Sequence, residues 1–110
     1  MRIFRHPLIP VDLAAMVDHI LTVTQGDHAA AARRLDEVQH LLANIASNPA
    51  SGVRLRGPLD GWLVRHGGTG YRLTVVFKAD PVRNAMYVAL VAFGGKDWMS
   101  AAETRRGFGL

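Results

Sequence analysis

The sequence predicts an α+β fold, a helical hairpin packed on a small, mainly antiparallel sheet, and three observations carry that expectation. Apolar residues between Val11 and Ser47 recur at threes and fours, with a break at Gly26 and Asp27. Between Gly61 and Ala79, two runs of strand-type residues flank Gly67-Gly68-Thr69-Gly70, the composition of a hairpin connection. The run Ala85 to Phe93 (AMYVALVAF) is apolar on both faces, as in a strand covered on both sides.

Arg2 to Arg5 reads as a short strand stopped by His6-Pro7. A helix then starts between Pro7 and Pro10, because a missing N–H is tolerated only in a first helical turn. Its apolar stripe is Leu13, Met16, Val17, Ile20, Leu21 and Thr24, with Asp12, Asp18 and His19 on the outer surface, and Gly26 ends it. Asp27 caps a second helix over His28 to Ser47, with Ala32, Leu35, Val38, Leu42 and Ile45 inward and Arg33, Arg34, Asp36, Glu37 and His40 outward. The short connection makes the pair an antiparallel hairpin. Ala50 to Asp60 reads as a connector carrying Arg54 and Arg56. The β-hairpin follows, then a turn at Asp80-Pro81 and the last strand, ended by Gly94-Gly95. The tail, residues 96–110, carries a Ser100-Ala-Ala-Glu103 capping box for a short helix. The expected order is therefore strand, helix, helix and three strands in a single domain spanning 1–110.

At 110 residues the chain holds one core, and 49% hydrophobic composition excludes a disordered class. A net charge of +4 favours acidic partners, nucleic acid or protein. No apolar run approaches the ~20 residues of a membrane span, and no signal stretch opens the chain, so no membrane association and a cytoplasmic location are expected. The absence of cysteine removes thiolate and disulfide chemistry. His6, His19, His28 and His40 lack ligand spacing and the glycine run lacks a phosphate-loop lysine, so neither a metal nor a cofactor is expected.

A four-residue hairpin loop would set Arg65 opposite Arg72, Val64 opposite Leu73 and Trp62 opposite Val75. Trp62, Val64, Tyr71, Leu73, Val75 and Phe77 would then share the core face, and Leu63, Arg65, Arg72, Thr74, Val76 and Lys78 the other. Two arginines side by side repel unless an anion lies between them. Arg54, Arg56, Arg65, Arg72 and Lys78 are thus the candidate nucleic-acid or target-binding residues, with a solvated basic face as the plain alternative. His66 falls on the core side or at the loop edge, a weak general-base candidate. Trp98, Met99 and Phe108 either cap the sheet or bind a partner protein.

The chain resembles the RelE/ParE superfamily of toxins from bacterial type II toxin-antitoxin modules. The resemblance covers nearly its whole length, through Arg5-His-Pro-Leu8, Asp12-Leu13, Ala32-Arg-Arg-Leu35, Ala46-Ser-Asn-Pro49, Arg54-Leu-Arg-Gly57, Asp60 and Gly70-Tyr-Arg-Leu73. It implies a growth-arresting toxin held by a cognate antitoxin, acting by ribosome-dependent mRNA cleavage in the RelE manner or by inhibiting DNA gyrase in the ParE manner. For RelE-type cleavage it implies Arg72, Arg65 and Lys96 as the catalytic candidates. Leu63 stands where the family has a second lysine, and no tyrosine follows the last strand. A non-toxic nucleic-acid-binding domain of the same architecture is the remaining alternative.

Overall fold

The computed structural model describes residues 1–109; Leu110, the end of the expected tail, lies outside them. Its elements are β1 (Arg2–Arg5), α1 (Ile9–Val23), α2 (His28–Ser47), β2 (Val53–Arg54), β3 (Leu63–Gly67), β4 (Leu73–Asp80), β5 (Ala85–Phe93) and α3 (Trp98–Glu103). The five strands form one sheet in the order β1-β5-β4-β3-β2, antiparallel except for β1, which runs parallel to β5. No helix among the described residues is long and apolar enough to cross a membrane.

Pro10 sits in the first turn of α1, and the Asp27 carboxylate accepts the Ala30 N–H at 3.0 Å to open α2. The helical hairpin covers one sheet face. Met16, Ile20, Val38, Leu42 and Ile45 pack there on Leu73, Val75, Phe77, Met86 and Val88. The phase of α2 differs slightly from expectation: Ala31 and Leu41 are buried, Leu35 is half-buried and Ala32 is exposed. The second face is covered too, by α3 and the segments flanking it, over Leu59, Trp62, Val64, Val76 and Leu90. The domain is therefore a three-layer sandwich. That agrees with the two-faced burial of β5 and explains the apolar tail.

Four expectations are corrected. The connector holds an extra strand, since Val53 and Arg54 pair with Val64 and Leu63 and extend the sheet by one. The hairpin connection is five residues, Gly68 to Arg72, so Val64 faces Val76 rather than Leu73, three residues further along. An odd shift exchanges faces. Trp62 and Val64 therefore face α3 while Leu73, Val75 and Phe77 face the helical hairpin, Tyr71 leaves the core altogether, and Arg65 lies opposite Val75, not Arg72. In α3 the cap is Asp97, whose carboxylate accepts the Ser100 N–H at 3.3 Å; Ser100 lies inside the helix. Asp12, expected outward, is 5% exposed and bound to Arg105.

That last contact closes the sheet edge. β1 ends at Arg5, and after the bond from His6 N–H to Val88 C=O no strand among the described residues covers this edge of β5. There the Val91 N–H donates to the Asp12 carboxylate at 3.1 Å and the Ala89 C=O accepts from Arg105 at 2.9 Å. The ion pair occupies the position a strand would take, satisfying backbone groups that burial would otherwise orphan. Burial, with the Arg105 charge beside it and against the pull of Asp12, holds the His6 pKa below its ordinary value. The neutral ring then accepts the Leu8 N–H on Nδ1 at 3.0 Å, just before α1.

Candidate nucleic-acid interface

The strand β5 stops at Gly94, whose left-handed backbone (φ 70°) turns the chain out of the sheet. Its N–H donates to the Arg72 carbonyl at 2.9 Å, which fixes the end of the β3–β4 connection beside Phe93. A Cβ on Gly94 would stand 3.1 Å from Arg72 Nη2, so a glycine keeps this approach open. The Arg72 guanidinium lies 5.0 Å from the Phe93 ring centroid, and the Arg34 guanidinium lies 5.0 Å from the same ring.

Around this ring opens a cleft of about 630 Å³, bounded by His19 on α1, Arg33, Arg34 and Asp36 on α2, Thr69 and Arg72 on the connection, and Phe93. The His19 ring stands 6.0 Å from that of Phe93. Arg34 is structural here. Its Nη1 donates to Glu37 at 2.9 Å and to the Thr69 carbonyl at 2.9 Å, while the Glu37 carboxylate accepts the Thr69 N–H at 2.8 Å. Arg33 and Arg72 have no carboxylate partner among the described residues, so their charge is available to an anion.

Burial alone would raise the Glu37 pKa, but the hydrogen bonds from Thr69 and Arg34, and the Arg34 charge, outweigh it and hold the carboxyl below its ordinary value. A lowered folded value means that the carboxylate stabilises the connection fully above the unfolded Glu pKa, and that this contribution fades as pH falls through the folded one. Glu37→Gln is expected to flatten the acid limb of stability against pH and to speed exchange of the Thr69 amide, as hydrogen exchange by NMR measures. An unchanged Thr69 rate would show that Glu37 does not hold the connection.

Of the residues singled out in the sequence, Arg72 and Lys96 come to this end of the sheet. Lys96 is exposed and borders a second, smaller groove of about 330 Å³ that shares His19 and Phe93 with the cleft. Arg65 does not face Arg72. It lies at the sheet edge on the helical-hairpin side, half-buried, with Nη1 donating to Ser51 Oγ at 2.6 Å. Arg54 and Arg56 are exposed on and after the edge strand β2. Lys78 is on the α3 side, half-buried, its ammonium 4.7 Å from the Trp62 ring centroid. Burial lowers the Lys78 pKa, against an opposing pull from Asp80. It packs on an aromatic surface, and Arg65 and Arg72 do not share that face.

His66 is exposed, hydrogen-bonded through Nδ1 to Thr74 Oγ1 at 2.9 Å and edge-on to Trp98 at 6.1 Å. Trp98 and Phe108 pack on the second core, and Phe108 stands edge-on to Tyr87 at 5.8 Å; Met99, 52% exposed, is the outward member of the three. His19, Arg33, Arg34 and Phe93 escaped sequence reasoning as site residues. The three polar ones read as ordinary outer faces of helices, and only the helices' rotation about their axes brings them to the cleft around Phe93.

The arrangement is a cationic cleft with an aromatic floor and an imidazole at its rim, suited to a phosphate beside a base or ribose. No known family model matches the chain, and no curated protein matches it.

Proposed function

We propose that the chain is the toxin component of a type II toxin-antitoxin module, a RelE/ParE-like domain that arrests growth in the cytoplasm by cleaving messenger RNA on the ribosome and is neutralised by a cognate antitoxin. The observation that carries this reading is the position of Arg72, the arginine of Gly70-Tyr-Arg-Leu73, over Phe93 in the cleft with Arg33 and beside the Lys96 groove. Cleaving RNA requires a 2′-hydroxyl to be aligned on its phosphate and the growing negative charge to be met by fixed cations. Arg72 and Arg33 supply that charge from two elements, and Lys96 adds to it from the neighbouring groove. The α+β architecture, a helical hairpin laid on a mixed sheet, is compatible with such a domain, although β2 and α3 are additions to the element order expected.

The long helical hairpin, 15 and 20 residues, favours a second reading in which the target is DNA gyrase. Induced expression separates the two: messenger cleavage follows from the first, a DNA-damage response from the second. Arg72→Gln is expected to abolish growth arrest while changing stability by less than about 1 kcal/mol, since the residue contributes only an exposed cation–π contact to the fold. Growth curves read beside thermal unfolding check it. Undiminished toxicity of Arg72→Gln would remove the cleft from the mechanism.

A further inference from the structure

Tyr71 is the one aromatic residue of the described chain whose backbone is left-handed (φ 54°), and its side chain is 78% exposed. A bulky residue is disfavoured in that conformation, and a ring so exposed adds nothing to the core. The backbone beneath it is nonetheless fixed. Its N–H donates to the Gly68 carbonyl at 3.0 Å, and Thr69 is held from both sides by Glu37 and Arg34. A rigid support thus presents an unpacked aromatic ring to solvent.

The ring stands at the lip of a groove of about 380 Å³ on the far side of the connection from the Arg72 cleft. Its walls are His40, Leu41 and Asn44 from one face of α2 and Arg65 from β3. Gly67 lets the strand close on the helix, for a Cβ there would meet the Leu41 side chain at 2.7 Å. Glu37 also reaches this groove, with its carboxylate engaged by Arg34 and Thr69. Arg65 spends Nη1 on Ser51, has no carboxylate partner among the described residues, and is the cation of the groove. The volume lies within the ~300–1,000 Å³ of small-ligand sites.

We propose that Tyr71 is a stacking platform for an unpaired base of single-stranded nucleic acid, whose backbone passes between Arg65 on one side of the connection and Arg72 on the other. An aromatic ring flanked by cations on a fixed turn is what a single strand needs: any base offers a flat face, and the phosphates on either side need positive charge. A duplex keeps its bases stacked on one another and has none to offer. The inference rests on the reading of this end of the sheet as a nucleic-acid site and names the form of nucleic acid it takes.

The test is fluorescence anisotropy of the purified chain with a labelled oligouridine, its deoxy counterpart and a duplex. Wild type is expected to bind the single strands more tightly than the duplex, and a preference for the ribo form would identify RNA as the natural ligand, equal affinity either nucleic acid. Tyr71→Gly is expected to lose affinity by roughly 5- to 150-fold, the range carried by one stacked base. It should unfold at the same or a higher temperature, because glycine relieves the left-handed backbone. Tyr71→Phe, which keeps the ring, should retain most of the affinity. Loss of binding by Arg72→Gln with Tyr71→Gly unaffected would overturn the stacking role while leaving the cleft as the binding site. Duplex binding as tight as single-strand binding, no binding of either by wild type, or unchanged affinity in Tyr71→Gly, the result expected of a protein-contact residue, would each overturn it as well.

Discussion

Arg105→Ala is expected to destabilise the domain by about 3–5 kcal/mol, the cost of leaving a buried carboxylate without its partner. Arg105 meets Asp12 with two parallel bonds, Nη1 to Oδ2 at 2.7 Å and Nη2 to Oδ1 at 2.9 Å, and both side chains are almost wholly out of water. Removing the guanidinium would strand the Asp12 charge beside Val91 and leave the Ala89 carbonyl without its donor. The pair itself need not be strongly stabilising, because its desolvation cost offsets much of the attraction and Arg105 Nε is buried with no acceptor among the described residues. Strong coupling is therefore expected: the double variant Asp12→Ala/Arg105→Ala should lose clearly less than the sum of its singles. Urea unfolding of the three variants measures this. A single-variant loss well below ~1 kcal/mol would mean that the tail is not pinned to α1 through this pair.

Leu42→Ala is expected to cost about 2–5 kcal/mol. Leu42 is 1% exposed, within the cluster that joins α2 to Leu73, Val75 and Phe77. Those residues stand on a strand paired on both sides, so the sheet cannot readily collapse into the space left by the lost side chain. A small domain has only about 5–15 kcal/mol in all, so the variant should unfold at visibly lower urea or temperature. A loss under about 1 kcal/mol would indicate that α2 meets the sheet through another face.

These two residues differ in how far the sequence disclosed them. Leu42 belongs to a helical stripe whose period is visible in the chain, bounded by an Asp cap and Asn48-Pro49, and α2 spans the expected residues. Asp12 carried no such signal. A carboxylate in a first helical turn reads as ordinary surface, and its partner lies 93 positions away. The hairpin shows the same division. Its strands were legible in composition, but register depends on loop length, and that length is set by the ties of Thr69 to Glu37 and Arg34, across more than 30 positions. The glycines allow either a four- or a five-residue connection, so nothing local decided which face Arg65 would take. Val53-Arg54 is too short a strand to leave a periodic trace. Arg72 was legible as a candidate because a motif carries it. Its neighbours in the cleft come from three other elements, and only tertiary packing assembles them.

The proposed action of the cleft around Arg72 and Phe93 on ribosome-bound messenger RNA is tested most directly by a reconstituted assay. Purified chain is added to ribosomes stalled on a defined messenger, and the 5′ ends of the RNA are mapped. Wild type is predicted to cut the messenger within the ribosome, with the free messenger spared and Arg72→Gln inactive. Intact messenger in the presence of wild type, together with loss of gyrase supercoiling in a parallel reaction, would contradict the claim and establish the second reading in its place.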